Sequence, residues 1–138
     1  MPKYQGGCLC GAVRYDAVGP LREVIYCHCS QCRKQTGLYF AATAVAQSDL
    51  TIHDSTALRW FAASDFAQRG FCGTCGSILF WRPNAGSHIA ILAGSLDDPG
   101  DLRAAYHICT DGRPGFYTLN DGLAQYAHDA PGVAIDAG

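Results

Sequence analysis

Residues 26–37 read Tyr-Cys-His-Cys-Ser-Gln-Cys-Arg-Lys-Gln-Thr-Gly, which places Cys27, Cys29 and Cys32 within six positions. Three thiols this close make a metal pocket. Cys8-Leu9-Cys10 precedes the stretch and Cys72-Gly73-Thr74-Cys75-Gly76 follows it, so seven of the eight cysteines fall into three tight groups and Cys109 stands alone. Seven divides as four plus three. A closed structural zinc takes four protein ligands, whereas a reactive zinc takes three and leaves a position for water or substrate. Cys8, Cys10, Cys72 and Cys75 form the structural set, because two bidentate pairs from distant parts of the chain would staple the first strand to the central hairpin. Cys27, Cys29 and Cys32 form the reactive set.

The length of 138 residues predicts one domain, and 49% hydrophobic against 16% charged residues is enough for a sizeable core. The first residues, Met1-Pro2-Lys3-Tyr4-Gln5-Gly6, lack an apolar leader, and no apolar run reaches membrane-spanning length. A cytoplasmic chain without membrane partners is expected. In that setting CxC spacing, a poor local disulfide and a good two-toothed ligand, reads as metal ligation. The formal charge is −2, and ligation by thiolates makes the loaded chain more acidic still. That argues against a nucleic-acid partner, which needs a surplus of Lys and Arg. The residues up to Arg82 are mildly basic and the remainder acidic, so the metal-binding part suits an anionic small molecule.

Around the cysteines the pattern is that of short strands. Gly6 to Gly11 is a glycine-framed ligand loop, and alternation over Val13, Tyr15 and Ala17 predicts a half-buried strand. Leu21–Tyr26 reads as a strand leading into the cluster, and Ser30–Gln35 as one helical turn capped near Ser30 and ended by Gly37. Leu38–Val45, Thr51–His53, Leu58–Phe61 and Ala104–Cys109 are further strand candidates, with Cys109 treated as a small buried hydrophobe outside the ligand set. Ile78–Trp81 and Ile89–Leu92, separated by Pro83 to Ser87, read as a hairpin. A zinc domain over 1–129 and a loose tail over 130–138 are expected.

The segments GGCLCGAVRY, CHCSQCRKQTG, RGFCGTCGSILF and HICTDGRPGFY, in this order along most of the chain, resemble the glutathione-dependent formaldehyde-activating enzyme family, whose zinc domain type includes centromere protein V. The resemblance implies a mainly β fold of the β-tent type built from small antiparallel sheets, a structural zinc, a second zinc held by three cysteines, and carbon-sulfur chemistry on a glutathione adduct. Family relatives carry a tryptophan after a proline where this chain has Gly115-Phe116. Through the resemblance alone, Phe116 and Tyr117 are expected to wall the pocket.

A zinc held by three thiolates is a weak acid toward water and well suited to a sulfur ligand such as glutathione or its hydroxymethyl thioether. Arg33 and Lys34 are candidates to offset that charge or to bind glutathione's carboxylates. His28, between two ligands, is a candidate proton shuttle, although adjacent side chains tend to point apart. His53, His88, His107 and His128 read as ordinary polar or core residues, and Arg69 as a brace of the fold. The combined reading is a carbon-sulfur lyase-like enzyme, similar to an S-(hydroxymethyl)glutathione synthase, with two Zn²⁺ ions and glutathione as co-substrate for formaldehyde or a related small aldehyde. Its rival is a non-catalytic zinc-binding β-tent module.

Overall fold

The fold was analysed in a computed structural model that describes residues 2–129; the expected tail, 130–138, lies outside the described residues. In chain order the elements are β1 (Lys3–Gly7), β2 (Arg14–Val18), β3 (Val24–Cys27), α1 (Ser30–Thr36), β4 (Phe40–Ala46), β5 (Leu50–Ile52), β6 (Leu58–Phe61), β7 (Ala67–Cys72), β8 (Ile78–Pro83), β9 (His88–Leu92), β10 (Ala104–Ile108) and β11 (Ala124–Gln125), with short 3₁₀ turns at Gln47–Asp49, Ala93–Ser95 and Thr110–Gly112. They form a three-stranded sheet, β1-β2-β5, and an eight-stranded sheet ordered β11-β10-β3-β4-β9-β8-β7-β6. The chain is mainly β, as its strand patterns predict.

The alternation of β2 buries Tyr15 and Ala17. In the large sheet β8 and β9 separate two cores: Phe80 and Ile91 face the one that holds Cys8 and Cys72, while Trp81 and Ala90 face the one that holds Cys27 and Cys32. A register shift between Gly70 and Phe71, where β7 meets Ile78 and Phe80, lets Leu79 join Phe80 in the first core against strict alternation. Each cysteine cluster thus has an apolar core of its own.

The small sheet docks through its first two strands. Arg14 pairs with Asp97, with Nη1 donating to Oδ1 at 3.0 Å, and the Asp97 amide donates to the Gln5 carbonyl at 2.8 Å. The Tyr15 and Ser95 hydroxyls are 2.6 Å apart. Gly6 sits where a methyl group would overlap the Tyr15 hydroxyl and come within 2.5 Å of the Ser95 carbonyl oxygen, so the close approach itself requires glycine.

Most of the expected strands and the hairpin lie within a few residues of those observed. Not expected were β1, a polar edge strand rich in glycine, β7, which leads into Cys72, and β11, which has two residues. The last strand candidate ends at Ile108 rather than Cys109, because Cys109 turns to φ 55 and opens the turn Thr110–Gly112. The cap of α1, expected near Ser30, is the adjacent Cys29, whose sulfur accepts the Cys32 amide at 3.3 Å. Gly37 closes the helix at φ 87, as expected.

Candidate metal centres

Cys8 and Cys10 leave the turn after β1, and Cys72 and Cys75 bracket the turn after β7; their four Sγ atoms lie within 4.8 Å of one another. Cys8 and Cys10 are 3.6 Å apart and Cys10 and Cys72 are 3.8 Å apart, sulfur to sulfur. A tetrahedral zinc with Zn–S near 2.3 Å requires sulfurs separated by about 3.8 Å, so the four residues fit that ion. Backbone amides point at the sulfurs, Val13 to Cys8 at 3.2 Å and Thr74 and Cys75 to Cys72 at 3.4 and 3.5 Å. Ser77 lies 3.2 Å from Cys75 and, with its own backbone, brings that thiol down to about 5. Amide dipoles aimed at sulfur favour thiolates, the form that binds metal.

The Sγ atoms of Cys27, Cys29 and Cys32 form the second group, again within 4.8 Å, and among the described residues no fourth His, Cys, Asp or Glu joins the three. β3 delivers Cys27, and the start of α1 turns Cys29 and Cys32 back toward it. Cys27 and Cys32 are fully buried. Hydrogen bonds from Cys27 and Cys32 pull the Cys29 thiol down to about 2, while those from Cys109, Cys29 and Cys32 push Cys27 up. The direction at Cys29 favours a thiolate beside an apolar core. Arg69, 3% exposed, lies over the Phe40 ring and donates from Nη2 to Cys32 Sγ at 3.5 Å. It also binds the side chains of Gln35 and Gln31, at 2.9 and 3.3 Å. Arg69 braces the fold as expected, and it also places a cation on the second cluster, a role not read from sequence.

Arg33 and Lys34 diverge. Arg33 is half-buried, with its Nε atom enclosed and without a hydrogen-bond partner among the described residues. Its charge, after that of Arg113, opposes the rise that burial imposes on the Tyr117 phenol. Lys34 is exposed and lines a separate pocket with Gln31, Phe61 and Arg69. Cys109 is half-buried and its thiol hydrogen-bonds to Cys27, which places it at the margin of the second group.

His28 does not stand alone between the ligands. Its Nδ1 lies 2.6 Å from the Tyr117 hydroxyl, its Nε2 lies 2.8 Å from His107 Nδ1, and His107 Nε2 lies 2.8 Å from Asp121 Oδ2. His107, expected as an ordinary polar or core residue, is a buried one with partners on both ring nitrogens. Neither His107 nor Asp121 has a ligand-like spacing to the cysteines; His107 meets His28 only because β10 pairs parallel to β3, with His107 opposite Tyr26, and Asp121 meets His107. His53, His88 and His128 are exposed and bond to Asp16, Ser87 and Asp111, in keeping with ordinary roles. Tyr117 packs against His28 and Tyr39, and Phe116 meets Tyr117 edge-on but is 67% exposed. An open cleft of about 660 Å³ begins at Cys8 and Leu9 and reaches Tyr39, whose ring centroid is 4.6 Å from that of His28.

Comparison with known proteins gives a consistent set of likenesses. Residues 3–112 match the family model of the glutathione-dependent formaldehyde-activating enzyme. A curated protein of Schizosaccharomyces pombe, named as an uncharacterized lyase, is 27% identical over 130 residues, or 94% of each chain. A Rhodobacter sphaeroides protein of known crystal structure shares the fold, with a TM-score of 0.59 and 21% identity over 88% of this chain and 98% of that one.

Proposed function

Since the chain belongs to the glutathione-dependent formaldehyde-activating enzyme family, we propose that it is a zinc-dependent carbon-sulfur lyase acting on glutathione adducts of formaldehyde or a related small aldehyde. One observation carries this reading: three buried or half-buried sulfurs converge without a fourth ligand among the described residues, beside a phenol and a cation. The first cluster, with four sulfurs at tetrahedral spacing, takes the structural ion in this reading.

Cys27, Cys29 and Cys32 would hold the second ion, which when bound accepts a soft sulfur ligand and lowers the pKa of its thiol. The remaining work falls to the chain. Arg69 offsets the negative charge of the sulfurs and holds Cys32 in place. Arg33 and Arg113 offer positive charge near Tyr117 for the carboxylates of the thiol. The cleft from Cys8 to Tyr39 falls within the size range of small-molecule sites but is lined by none of the three cysteines. Bringing thiol and aldehyde together at the second cluster supplies rate through proximity.

The deciding experiment is exchange NMR of glutathione with formaldehyde at mildly acidic pH, where the uncatalysed exchange is slow. The zinc-loaded chain is expected to accelerate interconversion of the thiol and its hydroxymethyl adduct. Exchange no faster than without protein, together with no glutathione binding, would overturn the proposal. A second reading, a non-catalytic zinc module, draws on the contact of Cys109 with Cys27, since a fourth thiolate would close the second site.

A further inference from the structure

The chain Asp121–His107–His28–Tyr117, of which the reading above uses only the phenol, is a continuous run of hydrogen bonds. Its three links are 2.8, 2.8 and 2.6 Å long. Both imidazoles are fully buried. Tyr26 packs on His107 with centroids 4.9 Å apart, and Tyr39 on His28 at 4.6 Å, so the rings have little freedom to turn. The outer end is anchored as well: Asp121 Oδ1 accepts the Leu123 amide at 3.1 Å while Oδ2 faces His107. Tyr117 and Asp121 lie beyond the residues that match the family model, so the arrangement is argued from this chain alone.

The order of donors follows from the anchor. An ionised carboxylate only accepts, so His107 must donate from Nε2. A neutral His107 then has only an acceptor at Nδ1, and His28 must donate to it from Nε2. His28 in turn is left with an acceptor at Nδ1, which takes the Tyr117 proton. The phenolic hydrogen is thereby committed inward, and the free lone pair of Tyr117 Oη faces away from His28.

We propose that Asp121, His107 and His28 are positioning residues that hold Tyr117 as the hydrogen-bond acceptor of the site, presented to the O–H of a hydroxymethyl thioether or the S–H of a free thiol. The substrate class rests on the function proposed above; the direction of the chain does not. In the lyase direction Tyr117 Oη accepts a hydrogen bond from the adduct hydroxyl, the C–S bond breaks with its electron pair on sulfur, and the oxygen becomes the aldehyde carbonyl. The hydroxyl proton moves onto Tyr117 Oη as the phenolic proton moves to His28 Nδ1; the return of that proton lets Tyr117 protonate the departing thiolate, so no outside oxidant or base is consumed.

The test begins with long-range ¹⁵N–¹H NMR of the zinc-loaded, ¹⁵N-labelled chain at neutral pH. Both His28 and His107 are expected to be neutral with the proton on Nε2. A proton on His28 Nδ1, or an imidazolium at His107, reverses the chain and overturns the proposal, whether or not the protein turns over adduct. The second arm uses Tyr117→Phe, Asp121→Asn and the double variant, each checked for an unchanged zinc content. Tyr117→Phe is expected to lower kcat about 100-fold with KM little changed. The double variant should be no slower than Tyr117→Phe, because Asp121 acts through Tyr117. Additive losses, or a loss confined to KM, would show a structural role instead. If no variant or parent shows turnover while the tautomers are as stated, the substrate reading fails and the acceptor assignment stands.

Discussion

Arg69 Nη2 donates to the sulfur of Cys32, 37 residues earlier in the chain, across 3.5 Å of buried space. A guanidinium in that place lowers the cost of thiolates in an apolar core. Arg69→Met keeps most of the volume but leaves the Gln31 and Gln35 side-chain oxygens without their donor. A stability loss of about 1–3 kcal/mol is expected by urea denaturation. Zinc release from the second cluster to a chelator should quicken, and release from the first should not. Equal release from both clusters would show that Arg69 serves packing alone.

The two clusters should differ in what their loss does. Elemental analysis of chain purified without chelator is expected to give two zinc ions. Cys72→Ser removes a ligand that ties the small sheet to the large one and should yield unfolded or insoluble protein, since a structural zinc in small peptides supplies on the order of 10 kcal/mol. Cys29→Ser should stay folded with a weakened second site. Identical melting of the two variants would refute the division into four and three.

Cys109 tests whether the second site is open. Cys109→Ala should retain two zinc ions and glutathione binding, because its thiol reaches Cys27 but does not join the group of three. Loss of one zinc in this variant would favour the closed, non-catalytic reading. At φ 55 Cys109 also sits in the left-handed region, so Cys109→Gly should be more stable than Cys109→Ala by up to about 1 kcal/mol.

Gly6→Ala should disrupt the docking of the small sheet. The added methyl meets the Tyr15 hydroxyl and the Ser95 carbonyl, neither of which is a loose surface group. Overpacking of this kind costs about 1–3 kcal/mol, readable as a lowered Tm. An unchanged Tm would mean that β1 shifts without cost.

Acid should loosen the same junction. Asp97 is held below the usual carboxylate range chiefly by hydrogen bonds from Arg14, and Asp16 by those from His53 and then Lys3. A folded pKa below the unfolded one gives stability that is complete above the ordinary value of about 4. That stability is lost as pH falls through the depressed folded value. Asp97→Asn should flatten the stability curve below about pH 4 relative to the parent. Superimposable curves would mean that this ion pair contributes nothing.

How far the sequence could be read follows from distance along the chain. Cys27, Cys29 and Cys32 announce themselves because their spacing is local, and Gly37 ends α1 by a local rule. Tyr15 and Ala17 are legible as buried because strand alternation has a period of two. The partnership of His28 with His107 is not legible, since it depends on β10 lying parallel to β3, a choice that no local pattern encodes. Asp121 escaped because its partner His107 is likewise set by tertiary structure, and so did the contact of Arg69 with Cys32, although Arg69 itself reads as a brace of the fold. The structural set was reachable only by counting thiols, and its sulfur spacings now give that count a geometric basis.

The two clusters also differ in when they can exist during folding. Cys27, Cys29 and Cys32 are joined by a few residues, so a nascent or unfolded chain can bring them together at little cost in loop entropy. Cys8 and Cys10 must wait for Cys72 and Cys75, with β3, β4, β6 and β7 of the large sheet still to be arranged between them. If both clusters take zinc, loop entropy favours the triad as the first to bind and the four-sulfur site as the last. Refolding with less than one equivalent of zinc should then leave a population loaded at the local cluster and still open at the other.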